Sequence, residues 1–160
     1  MDGDDFTQPR EDARPLLYLE DLKVGQRFIT GRCVISSDAI KDFARQFDPQ
    51  PFHLSEEGAK DTLFGGLAAS GWHTASLTMR LQVQTGPRLA GGVIGASSEI
   101  SWPKPTRPGD ELHVESEILA IRPSQSRPGR GILTIRSDTL NQRGEVVQTM
   151  TVNLIAQRRP

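Results

Sequence analysis

Asp48 and His53 stand five residues apart in the run Asp48-Pro49-Gln50-Pro51-Phe52-His53. A histidine titrates near neutral pH, and a neighbouring carboxylate can fix its tautomer or share a water with it, so the two can act as base and acid. Pro49 and Pro51 fix their own φ angles, remove two backbone donors and push Asp48 and Gln50 towards extended geometry. The pair is therefore expected on a stiff connector, where a plain surface hydrogen bond between the two side chains is the alternative to catalysis.

Farther on, Phe64-Gly65-Gly66 and Ser70-Gly71 flank a short apolar run, and residues 72–83 contain no acid and one charge, Arg80. A helix beginning near Gly71 would point free backbone N–H groups outward. Such a terminus favours negative charge, including the oxyanion that develops on a carbonyl substrate.

These motifs resemble the MaoC-like dehydratases, the family of the (R)-specific enoyl-CoA hydratases within the hotdog-fold superfamily. The run from Asp48 to His53 is similar to the family's D-x-N-P-x-H loop. Phe64-Gly65-Gly66-Leu67-Ala68-Ala69-Ser70-Gly71-Trp72 resembles its F-G-x-x-x-x-H-G-M helix opening, and Ser76 matches a small residue of its pocket. Trp102 to Leu112, with Pro108-Gly109-Asp110-Glu111-Leu112, looks like its P-G-D-x-L segment. The three ordered matches cover residues 16–157. Two positions depart from the pattern, Gln50 for Asn and Ser70 for His.

The resemblance implies an α+β hotdog fold, an antiparallel sheet wrapped around a long central helix. It implies an enoyl-thioester hydratase or 3-hydroxyacyl-thioester dehydratase with Asp48 and His53 as catalytic residues. The Gly71 N–H would bind the thioester oxygen, with Ser70, Trp72 and Ser76 around the substrate. Coenzyme A would be part of the substrate rather than a bound cofactor, its phosphates met by Lys104, Arg107 or Arg80; a carrier protein is the other possible acyl carrier. A homodimer or an assembly of dimers is implied, with pockets at the interface. Three other readings stay open: a thioesterase, a non-catalytic acyl-thioester-binding protein, and an enzyme for branched or dicarboxylic acyl groups selected by Ser70, Trp72 and residues 89–94.

A chain of 160 residues suits one domain with a real core. Residues 1–14 are polar and read as a flexible arm, followed by a single domain over 15–160. A net charge of −1 gives no reason to expect nucleic acid or an anionic membrane as partner. The single cysteine, Cys33, fits a reducing cytoplasm. No apolar run is long enough to cross a bilayer, and the acidic N-terminus is unlike a secretory signal, so a soluble cytoplasmic protein is expected. Three histidines and one cysteine without ligand-like spacing predict no metal.

The remaining elements must position the pair. Residues 28–35 read as a strand, and Ser36-Ser37-Asp38 as the N-cap of a helix through Phe47 that buries Ile40, Phe43, Ala44 and Phe47. Residues 55–60 read as a short capped helix. The helix over residues 69–84 is uncharged almost all round and is expected to be enclosed, with His73 in a structural or dimer-contact role. Residues 89–95 form an apolar connector at a substrate entrance. Strands follow over 96–102, 110–121, 131–140 and 145–156, the last two joined by a turn at Asn141 to Gly144.

Overall fold

The computed structural model describes residues 12–160. Residues 1–11, most of the expected arm, lie outside the described residues. Arg14, at the end of that segment, is tied down, donating to the carbonyls of Gly86 (2.7 Å) and Val83 (3.0 Å). The elements are β1 (Leu16–Leu17), a 3-10 turn (Leu19–Asp21), β2 (Arg27–Ile29), β3 (Cys33–Val34), α1 (Ser37–Phe47), α2 (Pro51–Leu54), α3 (Glu56–Ala59), α4 (Gly71–Thr85), β4 (Arg88–Leu89), β5 (Ile94–Ser101), β6 (Glu111–Pro123), β7 (Arg130–Leu140) and β8 (Val146–Gln157).

The main sheet runs β2-β6-β7-β8-β5, with β3 also paired to β6; all of these pairings are antiparallel. Along β6, Leu112, Val114, Ser116 and Ile118 point into the protein, the two-residue period of a sheet with one covered face. A register shift between Ile118 and Ala120 ends that strict alternation, leaving Ala120 half-buried. The hairpin from β7 to β8 turns at Gly144, whose φ of +73° is the conformation a side chain would resist. Leu133, Ile135, Met150, Val152 and Leu154 from β7 and β8 build the main core with Ile118.

The expected strand over 28–35 is split. The Thr30 N–H still donates to the Val114 carbonyl (3.0 Å), but its hydroxyl, not a backbone carbonyl, accepts from the Val114 N–H (2.9 Å), and the Gly31 N–H turns to the Thr85 hydroxyl at the end of α4 (2.9 Å). Ser36 caps α1 by accepting from the Ala39 N–H at 3.1 Å. Ile40 and Ala44 are fully buried, but Phe47 is 68% exposed, because α1 ends there and its last turn projects past the core.

α4 lies against the sheet with Thr74, Thr78 and Leu81 inward. It is not enclosed. Trp72, Met79 and Val83, spaced seven and four apart, stay exposed along one side of the helix. Inside, hydroxyls replace apolar contacts: Thr78 Oγ1 meets Thr139 Oγ1 at 2.6 Å, accepts from Gln148 Nε2 at 3.1 Å and donates to the Thr74 carbonyl at 2.9 Å. Among the described residues no helix is long and apolar enough to cross a membrane.

Candidate active site

Two proline residues and two helix ends place the pair. Asp48 is the C-terminal cap of α1, its N–H bonded to the Ala44 carbonyl at 2.9 Å. Pro51 then begins α2 rather than extending a loop. Its ring occupies the first helical position, where the missing N–H has no intrahelical partner to lose, so Gln50 is extended as expected while His53 sits on a helical turn rather than on a loop.

The turn brings the His53 Nε2 to 3.3 Å from Asp48 Oδ2. His53 is 4% exposed and Asp48 is half-buried at the edge. The far ring nitrogen, Nδ1, lies 2.6 Å from the Ala68 carbonyl oxygen. A carbonyl only accepts, so Nδ1 carries a proton. In the neutral ring Nε2 is then a bare lone pair facing a carboxylate oxygen, and the pair is satisfied by one proton on Nε2 or by a donor shared between the two acceptors. That is a geometry for holding and passing a proton.

Asp48 has two further neighbours. The Gln50 amide donates to Oδ1 at 2.6 Å. Burial pushes the Asp48 carboxyl up, but hydrogen bonds from the Ser70 hydroxyl and Gln50, with the charge of His53, outweigh it and hold the carboxyl below its usual value. Gln50 and Ser70, the two departures from the family motif, therefore both serve the carboxylate. Ser70 is fully buried and caps α4, its oxygen accepting from the Trp72 N–H at 3.3 Å, so it sits behind the pair and not on the wall of a pocket.

Gly71 is the first residue of α4, and its N–H has no hydrogen-bond acceptor among the described residues. Trp72 and Ser76 line a channel of about 550 Å³ between α4 and the sheet, with Ala75, Met79 and Gln82 along the helix and Ile100, Ile135 and Met150 opposite. Leu89 and Val93 also line it. The Ser76 hydroxyl donates back to the Trp72 carbonyl at 2.8 Å. Asp48 and His53 do not line the channel; Ser70 and Gly71 join the pair to its Trp72 end.

The cations expected at phosphates are placed otherwise. Arg107 is turned inward, donating to the carbonyls of Phe64, Gly66 (2.8 Å) and Leu67 (3.3 Å), so its guanidinium is committed to the chain. A partly buried fork of donors finds backbone carbonyls more readily than it stays unpaired. Lys104 is paired with Glu145 at 2.7 Å, and Lys104, Asn141 and Arg143 together hold the Glu145 carboxyl at about 2. Arg80 remains exposed, its Nε 3.4 Å from Gln84 Oε1. No group of three or more potential metal ligands occurs among the described residues.

Sequence reading missed three participants: the Ala68 carbonyl, the contact of Ser70 with Asp48, and Trp102, whose ring covers Gly71. The first two are backbone and long-range contacts that residue types do not announce. Trp102 stood in the third motif, and its bulk beside an obligatory small residue was the available signal.

The model of the family described as MaoC like domain matches residues 21–139. A 3-hydroxybutyryl-CoA dehydratase of Methylorubrum extorquens is 35% identical over 113 residues, 70% of each chain. An uncharacterized protein of Bacillus subtilis is 36% identical over 130 residues, 79% of this chain and 89% of that one. The crystal structure of a MaoC-like dehydratase from Rhodospirillum rubrum superposes with a TM-score of 0.88 at 64% identity, covering 90% of this chain and 99% of that one.

Proposed function

The chain belongs to the MaoC-like domain family and has its hotdog fold, and from that premise we propose that it is an enoyl-thioester hydratase, working in reverse as a 3-hydroxyacyl-thioester dehydratase. The observation that carries the reading is the anchored pair, Nδ1 of His53 on the Ala68 carbonyl and Nε2 at 3.3 Å from an ionised Asp48.

In the hydration direction a water between the two side chains attacks C3 of a trans-2-enoyl thioester. Its proton passes to the Asp48 carboxylate as the C3–O bond forms and the C2–C3 π bond opens into an enolate. The Nε2 proton of the His53 imidazolium goes to C2. Proton transfer from Asp48 to Nε2 then resets the pair, so one water is consumed and no charge is left over. The enolate oxygen lies at the Gly71 N–H and the N-terminus of α4, where unpaired donors and the helix dipole stabilise it. The channel from Trp72 along α4 takes the acyl chain, and its lining explains why that chain is apolar. Coenzyme A enters as the carrier portion of the substrate, and no resident cofactor is part of the scheme.

A homodimer is part of the same reading. Among the described residues β5 is an edge strand of eight residues bonded only to β8, and edge-to-edge pairing with a second copy would satisfy it.

The test follows the enoyl absorbance of crotonyl-CoA together with a thiol reagent, wild type beside His53→Ala. Loss of the enoyl band without thiol release, absent in the variant, is the expected result. Thiol release would instead make the protein a thioesterase.

A further inference from the structure

Residues 66–70 have no regular secondary structure, yet Leu67, Ala68, Ala69 and Ser70 are all 5% exposed or less. A buried irregular segment must find partners for its backbone polar groups one by one. The Leu67 N–H donates to Glu56 Oε2 at 2.9 Å, while the Gly66 and Leu67 carbonyls accept from Arg107 Nη1. The Ala68 N–H donates to the Phe52 carbonyl at 3.2 Å and the Ala69 N–H to the Thr106 carbonyl at 2.9 Å. Arg107 is itself fixed, its own N–H donating at 2.8 Å to Asp110, a carboxylate 2% exposed.

The Ala68 carbonyl in the same segment accepts from the imidazole of His53 through Nδ1. Two opposite charges thus grip the adjoining peptides, Glu56 on the N–H of Leu67 and Arg107 on the carbonyls beside it, one residue before the oxygen that orients the imidazole.

We propose that Arg107 and Glu56 are positioning residues that set the tautomer of His53 by fixing the Ala68 carbonyl. With the carbonyl held, the proton stays on Nδ1 and the Nε2 lone pair faces Asp48. With the segment released, the neutral ring can place its proton on Nε2 instead, which aims a donor permanently at Asp48 and removes the site that receives the returning proton. The catalytic consequence rests on the function proposed above; the tautomer itself does not.

The test uses the full chain. Long-range 1H–15N spectra of 15N-histidine protein, taken where the His53 ring is neutral, distinguish Nδ1–H from Nε2–H, and His53→Ala identifies the signal among the three histidines. Wild type is expected to show Nδ1–H alone. Arg107→Met and Glu56→Ala are expected to show both tautomers, with kcat lowered about tenfold or more and KM within about twofold. Arg107→Lys, which keeps the charge but loses the fork, should recover part of the Nδ1–H population. If Arg107→Met does not fold, Glu56→Ala decides. Variants that lose thermal stability while keeping the pure Nδ1–H tautomer would overturn the proposal and leave the two residues as scaffold. A wild type without hydratase activity would sink the proposed function, while the spectra would still decide the tautomer question.

Discussion

The indole of Trp102 lies over Gly71 so closely that a Cβ on the glycine would come within 2.6 Å of the ring. The ring cannot easily give way. Its Nε1 donates to Gln148 Oε1 at 2.9 Å, and Gln148, fully buried, continues through Nε2 to Thr78 in the middle of α4. Trp72 meets the same indole edge to face at 5.4 Å between ring centres. Gly71 is therefore held small by packing as well as by the demand for an open N–H at the helix start.

Gly71→Ala should displace Trp102. The expected cost is about 1–3 kcal/mol of stability, the range for a forced overpacking, with a changed tryptophan emission spectrum and turnover lowered by more than about tenfold as the oxyanion donor shifts. Emission and melting temperature identical to wild type would show that the helix start has room that the contact denies.

Ser70→Ala should raise the Asp48 pKa, since the hydroxyl is among the groups that hold the carboxyl down. The acid limb of the kcat/KM profile then moves to higher pH. A depressed carboxyl contributes stability that is present above its unfolded value of 3.8 and lost as pH falls through its folded value, so the variant should also lose less stability on acidification. Loss of the cap itself costs about 1 kcal/mol at all pH values. An unmoved acid limb would mean that Asp48 is not the base, or that Ser70 does not reach it.

Ala75→Phe fills the channel one turn inside Trp72. From Trp72 to Gln82 the helix rises about 15 Å, more than a four-carbon acyl group occupies. The variant should retain crotonyl-CoA turnover and lose about tenfold or more in kcat/KM on octenoyl-CoA, since each excluded methylene is worth about 1–3 kcal/mol. Equal losses on both substrates would place the acyl chain elsewhere.

The periodic elements could be read from the chain. Ser36 capping α1, Ser55 capping α3, the acid-free α4 and the alternation of β6 all follow from local patterns that structure obeys. Pro51 misleads because the same ring that breaks a helix from within starts one at its first position. Phe47 fits the buried stripe of α1, and only the end of packing partners exposes it. Arg107 illustrates the larger gap. A rim arginine and an arginine bonded to the carbonyls of residues some forty positions away have the same local sequence, and the difference is decided by the fold. The motif pointed to Asp48 and His53, which the fold brings within 3.3 Å of each other, whereas the Ala68 carbonyl beside the histidine has no residue-type signature at all.

His73 provides a pH test remote from the pair. It is 7% exposed, its ring stacks on Phe43 at 4.6 Å with planes 2° apart, and its buried Nδ1 has no hydrogen-bond partner among the described residues. Burial pushes its pKa below the usual 6.5. At pH near and below 6.5 the unfolded chain therefore binds a proton that the folded chain refuses, so stability is complete above that pH and declines as pH falls from 6.5 towards the folded value. His73→Phe keeps the aromatic stack, removes both the unpartnered nitrogen and the titration, and should be as stable as wild type or more so at pH 8. Its melting temperature should vary less than that of wild type between pH 7 and 5.5, a range above the carboxylates held low at Glu20 and Glu145. Parallel melting curves for the two proteins across that range would show that the fold admits a proton at His73 and that the ring is less sealed than its contacts make it.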